Sequence, residues 1–586
     1  FGVIPAIVRW ADFGNAFLHA FKKGSKKGTL TYEGISELAE SPLFLAITRL
    51  STVPIEDPRY FKTAQWIYQC HVFLAKIPLS RPDLVNSAEA AWVATQEEVL
   101  EFVVEETPEL AALKAIISWL YDIDLEKSAF GKHGPGSTSG GWRTVADKNA
   151  NMRPNIQTDI LVENYDLERP YISLDYTEDA VLAHVSKDAK SVRPITQEPP
   201  VMMYAQQGLK RQFYSNIDDL RIVQASRFIK FADQSLSRDL AQKGSRLQTE
   251  DYVPITIDLK GASDRLSLKL IAKIFSGTNK EMLLAGRTGQ VRVGKNHRQE
   301  LGMFAGMGSA LTFPVQTLVF TGISLLGVCL SLYRKDYSVD PSHPLDAVQE
   351  YLFSLYSDNS HGRYFKHVRL YGDDIIIPSI ATSDTLKLLK LFGLRVNENK
   401  SFFAADAVRE ACGIFALGGR DISPLRYRVP VIPNGGRLDF AAYEGLRSLA
   451  NFAFVRGFPT LYRACVRTIL QVKLFISSSE RRRKGIYIKA WKERLRFSQP
   501  KVLFEEFSNE IPKLGILSTK EPISAERHRL FGENRKGVTT WTGRTDSEVD
   551  LDSEKYHLSQ AYFHMHATDT QVESHGRIPS GIRLSK

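Results

Sequence analysis

Residues 367–379 read HVRLYGDDIIIPS. Two strand-like runs, about Val368–Tyr371 and Ile375–Ile377, flank Gly372, Asp373 and Asp374, so the stretch predicts a hairpin whose tight turn carries two adjacent carboxylates. Glycine lets the backbone bend and lets a ligand come close. Aspartate is also an ordinary turn residue, because it bonds its own backbone. Taken alone, the stretch supports a structural turn at least as well as a site.

A second acidic element changes that weighting. In DYVPITIDLKGASDRLSLKLIAKIF, from residue 251, Val253, Ile255 and Ile257 alternate as a strand that ends at Asp258. Leu266, Leu270, Ile271 and Ile274 then follow at helical spacing. Carboxylates gathered at strand ends repel one another in a partly dry site, so they need a compensating cation or a function. Oxygen ligands of this kind suit a hard cation such as Mg²⁺, which is usually held by one or two carboxylates plus substrate phosphates. Two such ions about 3.5–4 Å apart would stabilise both the attacking and the leaving oxygen of an in-line phosphoryl displacement. That is the chemistry of nucleotidyl transfer.

The chain has 586 residues and is 43% hydrophobic, enough for a large core divided among several subdomains. Such a composition excludes a disordered protein. A net charge of +10 favours a polyanionic partner. Cys70, Cys329, Cys412 and Cys465 lie far apart without ligand spacing, which predicts reduced thiols in a cytosolic compartment and no structural zinc. The start, FGVIPAIVRWADF, has no basic segment leading into an apolar one, so no secretory leader is expected; its first residue points to an incomplete reading frame or a processed product. From Leu301 to Tyr333 there is no charged residue, yet Gly302, Gly306, Gly308, Ser309, Pro314 and Gln316 interrupt the run. The expectation is therefore a loop followed by a helix buried in protein, with no membrane span.

Cationic groups for a triphosphate are offered by VSKDAKSVRPITQEPP at 185–200, where Lys187, Lys190 and Arg193 recur every third residue; a solvated basic loop is the plainer reading. RRRKGIYIKAWKERLR at 481–496 holds eight Lys or Arg against one Glu, with Tyr487 and Trp491 interleaved. It suits an RNA backbone, or equally the exposed side of an amphipathic helix. FGKHGPGSTSGGW at 130–142 does not fit the phosphate-binding glycine pattern and stands as either a connector or a nucleic-acid-contacting loop. HMH at 564–566 reads as a surface pair, and the last 50 or so residues turn polar.

With these elements in order, the chain resembles viral RNA-dependent RNA polymerases, most closely the replicase catalytic subunit of small positive-strand RNA bacteriophages, the levivirus type. The resemblance is carried by Lys187, Lys190, Arg193 and Glu198, and by DLKGASD at 258–264, GMGSALTF at 306–313, YGDD at 371–374, FGLRVNENKSF at 392–402 and VREACG at 408–413. It covers about residues 185–430, and six elements in this order are far more specific than YGDD alone.

The resemblance implies an α+β right-hand fold of fingers, palm and thumb, with a small antiparallel palm sheet flanked by helices. Residues 1–184 would contribute to the fingers, 185–250 would be fingers carrying the basic nucleotide channel, 251–430 the palm with an insertion belonging to the fingers, and 431–586 the thumb and tail. Asp258 and Asp373 would be the principal ligands of two Mg²⁺ ions, with Asp374 supporting and Mn²⁺ as a substitute. Lys187, Lys190, Arg193, Asp264, Ser309 and Thr312 would serve the incoming rNTP. Lys400 would be the general acid toward pyrophosphate, though an exposed strand-end lysine fits it nearly as well. Gly308, Arg409, Arg481, Arg482 and Arg483 would contact template and product RNA. Implied partners are the host elongation factors Tu and Ts and a ribosomal protein, in the cytoplasm of a bacterial host. The chain departs from the pattern at Gln316, where many such polymerases carry asparagine.

Two alternatives stand beside this reading. A reverse transcriptase shares the palm, but usually lacks a glycine at the position of Gly372 and carries a bulky side chain where Gly261 and Ala262 stand. A non-catalytic basic RNA-binding protein would explain the charge, but has no use for Asp258, Asp373 and Asp374 together.

Overall fold

The computed structural model describes residues 3–21, 30, 35–54, 57–77, 82–127, 131–134, 136–152, 161, 178–246, 250–294, 297–353, 361–428, 437–438, 440–456, 458, 460–465 and 473–474. The chain divides into two units, Phe1–Val72 with Ser80–Pro424, and Phe73–Leu79 with Leu425–Lys586. Both are described through mixed helix and sheet.

In the first unit, β1 (Ala180–Ser186) and β2 (Val192–Gln197) form an antiparallel hairpin. β3 (Pro254–Ile257) follows, then β4 (Gln290–Val293) and β5 (His297–Glu300), which extend the first hairpin into a sheet of order β2-β1-β4-β5. β6 (Arg369–Tyr371) and β7 (Asp374–Pro378) join β3 in an antiparallel sheet of order β3-β7-β6, with Ile257 opposite Ile375. β8 (Val408–Ala411), β9 (Ile414–Leu417) and β10 (Arg420–Asp421) form a third sheet.

β7 is central and buried on both faces, which is why its sequence is a run of isoleucines rather than an alternation. Ile375 and Ile377 enter the main core. Ile376 points the other way, into a cluster with Leu240, Ala241, Ala411 and Ile414. Each fully buried isoleucine contributes about 1.5–3 kcal/mol. Paired backbone bonds between Thr256 and Phe402 (3.0 and 2.8 Å) prolong the sheet beyond β3.

The uncharged run from Thr312 onward forms most of the helix Thr312–Tyr337, which lies among the helices Pro108–Leu120 and Thr382–Leu391 and the strands β6 and β7. It is long and apolar enough to cross a membrane, yet 94% of its most apolar stretch is buried inside the protein. Its hydroxyls are satisfied locally: Thr317, Thr321 and Ser324 each donate to a carbonyl four residues back at 2.7 Å.

The N-terminal region is helical. Val3–His19 and Pro58–Val72 pack around His71, whose Nε2 lies 2.8 Å from Ser41 Oγ. The helix Pro82–Glu101 stops short of Phe102. There Lys269 and Lys273 take the carbonyls of Leu100, Phe102 and Val104 at 2.5, 3.1 and 2.6 Å, replacing the next helical turn.

The second unit pairs β11 (Arg437–Leu438) with β12 (Lys473–Leu474) in parallel and contains the helix Phe440–Val455. Leu425, Leu446, Leu449, Ala453 and Tyr462 form its core. All four cysteines are free thiols.

Candidate active site

The β6–β7 turn consists of Gly372 and Asp373, with Tyr371 opposite Asp374. Gly372 has φ +64°, the glycine-first pattern of a type II′ hairpin, and a Cβ there would stand 2.6 Å from Phe313 Cε2. Its N–H donates to Thr317 Oγ1 at 3.0 Å, and the Tyr371 ring meets Phe313 edge-on at 4.9 Å. The turn is thereby clamped to the first turns of the long buried helix.

The two aspartates are not equivalent. Asp373 sits exposed at the tip. Asp374, expected in the turn, is the first residue of β7 and shares the face of Ile376. Its Oδ2 accepts the Cys412 N–H at 3.0 Å. Burial, and then the charge of Asp373, push its carboxyl up to about 7.

Asp258 follows β3. Its N–H donates to Ser401 Oγ at 3.0 Å, and its Oδ2 accepts from Asn397 Nδ2 at 2.7 Å. Burial raises its carboxyl above the usual range; Lys400 opposes this most, then Asn397, while Asp373 adds to the rise and Lys187 opposes it. Asp258, Asp373, Lys400 and Lys187 therefore share one electrostatic neighbourhood. Among the described residues, no three Asp, Glu, His or Cys side chains group closely enough to enclose a metal ion by themselves. Asp258 and Asp373 fit instead a hard cation completed by substrate oxygens, since their like charges are close and their donors are all oxygen.

The basic segment is the β1–β2 hairpin rather than an open loop. The Lys187 and Asp188 N–H groups close its turn on the Ser191 carbonyl at 3.1 and 3.3 Å. The Lys187 amine is held below its ordinary value by burial, then by the charges of Lys400 and Arg193. Lys190 instead pairs with Asp12 of the first helix. Arg193, on β2, lies close enough to Asp264 to favour that residue's charged form.

The GMGSALTF loop docks at the end of β2. Gly308 donates to Thr196 Oγ1 at 3.3 Å, and a Cβ at this glycine would lie 1.4 Å from the Thr196 carbonyl oxygen. Ser309 Oγ accepts the Leu311 N–H at 3.3 Å and Thr312 Oγ1 donates to the Gly306 carbonyl at 2.5 Å, so both hydroxyls brace the loop itself. Glu198, noticed in the sequence only as part of the basic segment, is the hub here. Its buried carboxylate accepts from Thr196, Gln206 and Thr288 at 3.0, 3.2 and 2.5 Å, while Gln206 Oε1 takes the Ala310 N–H at 3.2 Å. The glycine-rich loop comes to the same place, with the Ser139 N–H on the Glu198 carbonyl at 3.0 Å. Gln316 is buried beside Gly372, its Oε1 without a partner among the described residues.

Arg409 departs from expectation. It is fully buried, and its guanidinium donates to the carbonyls of Pro254, Asp406 and Val408 at 2.9, 2.7 and 2.8 Å. It brackets β8 to β3 instead of presenting charge to RNA. Arg481, Arg482 and Arg483, with the rest of 481–496, and the HMH triplet lie outside the described residues.

Residues 171–338 and 360–433 match the family model of the RNA replicase beta-chain, and these segments hold the whole cluster from Lys187 to Arg409. Over them the chain is similar to the RNA-directed RNA polymerase beta chains of RNA bacteriophages. It is 29% identical over 295 residues to the RNA-directed RNA polymerase beta chain of Escherichia phage MS2, covering 49% of this chain and 44% of that one. It is 27% identical over 252 residues to the beta chain of Enterobacteria phage fr, covering 42% and 37%. The RNA-directed RNA polymerase subunit beta of Qbeta virus (strain MX1) is 28% identical over 254 residues, covering 42% and 35%. The chain thus spans about two fifths of the length of the curated relatives it matches. The solved RNA-dependent RNA polymerase of BmCPV at its elongation state superposes with a TM-score of 0.36 at 13% identity, over 80% of this chain and 45% of that one, too slight a likeness to argue from.

Proposed function

We propose that this chain is the catalytic subunit of a levivirus-type RNA replicase, an RNA-directed RNA polymerase that copies single-stranded RNA from rNTPs. The observation that carries the reading is that Asp258 ends β3 and Asp373 tips the β6–β7 turn beside it, Ile257 pairing with Ile375, near enough that Asp373, Lys187 and Lys400 all act on the Asp258 charge. Asp258 is oriented by Asn397 and Ser401, and Asp373 by the clamped turn. Two Mg²⁺ ions, or Mn²⁺ in their place, held by these two carboxylates would supply charge neutralisation and a more acidic 3′-hydroxyl.

The remaining work falls to the chain itself. Lys187 and Arg193 bind the triphosphate as charge-assisted donors. Lys190 joins them once it leaves Asp12. Lys400 holds a proton on Nζ for the departing pyrophosphate. Asp264 accepts from the ribose, and Gly261 and Ala262 leave room for its 2′-hydroxyl. In this reading the β3-β7-β6 sheet is the palm, the β2-β1-β4-β5 sheet belongs to the fingers, and the second unit supplies the thumb. Relatives carry the name beta chain, and we read this chain likewise as one subunit of an assembly inside the bacterial host, with elongation factors Tu and Ts and a ribosomal protein as companions.

The test is incorporation of labelled rNTPs on a single-stranded RNA template, with and without Mg²⁺ and with bacterial extract. Template-dependent product from the wild type, absent with a folded Asp373→Asn protein, supports the reading. Undiminished product from Asp373→Asn overturns the assignment.

A further inference from the structure

In the loop 306–313, the backbone N–H groups of residues 308 to 311 alternate between inner and outer partners. Ser309 donates to the Gly306 carbonyl at 3.0 Å and Leu311 to Ser309 Oγ at 3.3 Å, both within the loop. Gly308 and Ala310, on either side of Ser309, donate instead to Thr196 Oγ1 at 3.3 Å and to Gln206 Oε1 at 3.2 Å. Thr196 belongs to β2 and Gln206 to the helix Pro200–Asp218.

Both outer partners hang from one carboxylate. Thr196 Oγ1 donates to Glu198 Oε1 at 3.0 Å, Gln206 Nε2 donates to Glu198 Oε2 at 3.2 Å, and Thr288 Oγ1 adds a third donor at 2.5 Å. Glu198, Thr196 and Gln206 are all buried, so water does not compete for these bonds. Three donors on two oxygens is the pattern of an ionised carboxylate, which only accepts. It therefore fixes the polarity of both arms: the Thr196 hydroxyl hydrogen and the Gln206 amide hydrogens turn toward Glu198, and their oxygens are left for the loop. The Gly286 carbonyl, which also accepts from Gln206 Nε2 at 3.0 Å, reinforces that orientation. A neutral amide at 198 would not impose it, because an amide donates as well as accepts.

We propose that Glu198 is a positioning residue for nucleotide addition: acting through Thr196 and Gln206, its carboxylate sets the backbone on both sides of Ser309, and with it the open edge of the loop, from exposed Met307 to half-buried Ala310, against which the incoming nucleotide and its template base are placed. This rests on the polymerase reading. Arg193 stands on the same strand as Thr196, so the loop and the triphosphate-binding hairpin are held as one body.

The experiment measures kcat and KM for rNTP incorporation on a single-stranded RNA template, together with thermal melting, for the full chain as wild type, Glu198→Gln, Thr196→Val and the double variant. Losing a hydrogen bond to a charged group is expected to raise the KM about tenfold in either single variant, with kcat falling less and melting lowered only slightly. Because both changes cut one route, the double variant should be little worse than Glu198→Gln alone; effects that multiply would show that Thr196 acts apart from Glu198 and would overturn the proposal. A purely structural role would lower the folded fraction and leave the KM of the remainder unchanged. If the wild type makes template-dependent product and both single variants fold with its KM, the proposal is overturned while the polymerase reading stands. If neither variant folds, Glu198 is a core group and the proposal falls in the same way. If the wild type makes no product even with bacterial extract, both fall.

Discussion

The β6–β7 hairpin turns on Gly372–Asp373 and the β8–β9 hairpin on Cys412–Gly413, each closing around two residues. In the first, one glycine has positive φ and the next residue is an exposed carboxylate. In the second, both turn residues have positive φ, +48° at Cys412 and +76° at Gly413, the type I′ pattern. The strained Cys412 gives its N–H to Asp374, and the same hairpin buries Arg409. One hairpin offers charge outward and the other absorbs charge inward. Within one motif, then, the acid at the turn tip faces outward, while the acid that begins the strand and the arginine of the next hairpin are held inward.

The strongest way to break this division is Asp373→Asn or Asp258→Asn. Either should reduce elongation to background in a protein that melts normally; a comparable loss on replacing an inward group, without loss of folding, would erase the distinction. Arg409→Met removes the donor to three buried carbonyls and should cost ~3 kcal/mol in denaturant unfolding. The folded fraction should keep the wild-type salt slope of RNA binding, whereas a slope smaller by about one would show that Arg409 touches phosphate after all. Gly372→Ala must fit a Cβ against Phe313 at an unfavourable φ and should cost about 1–3 kcal/mol, with elongation falling alongside.

Asp374 sharpens the comparison through pH. Its carboxyl rises from 3.8 to about 7 on folding, so the native state holds the extra proton between those values. In chelator, the stability this proton gives is full below about pH 4 and is lost as pH rises toward 7. Asp374→Asn should flatten that decline; an unchanged stability profile would show that the carboxyl is not held inward. The smallest effect is expected at Lys190→Ala, which should raise the KM for rNTP a few-fold and leave kcat nearly unchanged.

Much of this was legible. The YGDD hairpin, the strand ending at Asp258 and the buried uncharged helix follow from local periodicity and turn chemistry, which act over a few residues. The inequivalence of Asp373 and Asp374 depends on where the turn ends and β7 begins, a one-residue boundary that the local pattern leaves open. Arg409 and Glu198 were misread or missed because their partners are distant: the Pro254 carbonyl lies 155 residues from Arg409, and Thr288 lies 90 from Glu198. A buried arginine and an exposed one look alike in sequence, since nothing local says whether carbonyls or phosphates will meet it.

The helix Thr312–Tyr337 also constrains how the protein is made. Its partner Thr382–Leu391 is complete only 54 residues after Tyr337. A ribosome adding about 5–20 residues per second leaves the apolar helix without that cover for roughly 3–11 s. Through that interval the nascent chain presents a largely apolar surface fit for a chaperone or a neighbouring chain, and the Gly372–Asp373 turn, which is clamped to this helix, is assembled among the last parts of the first unit.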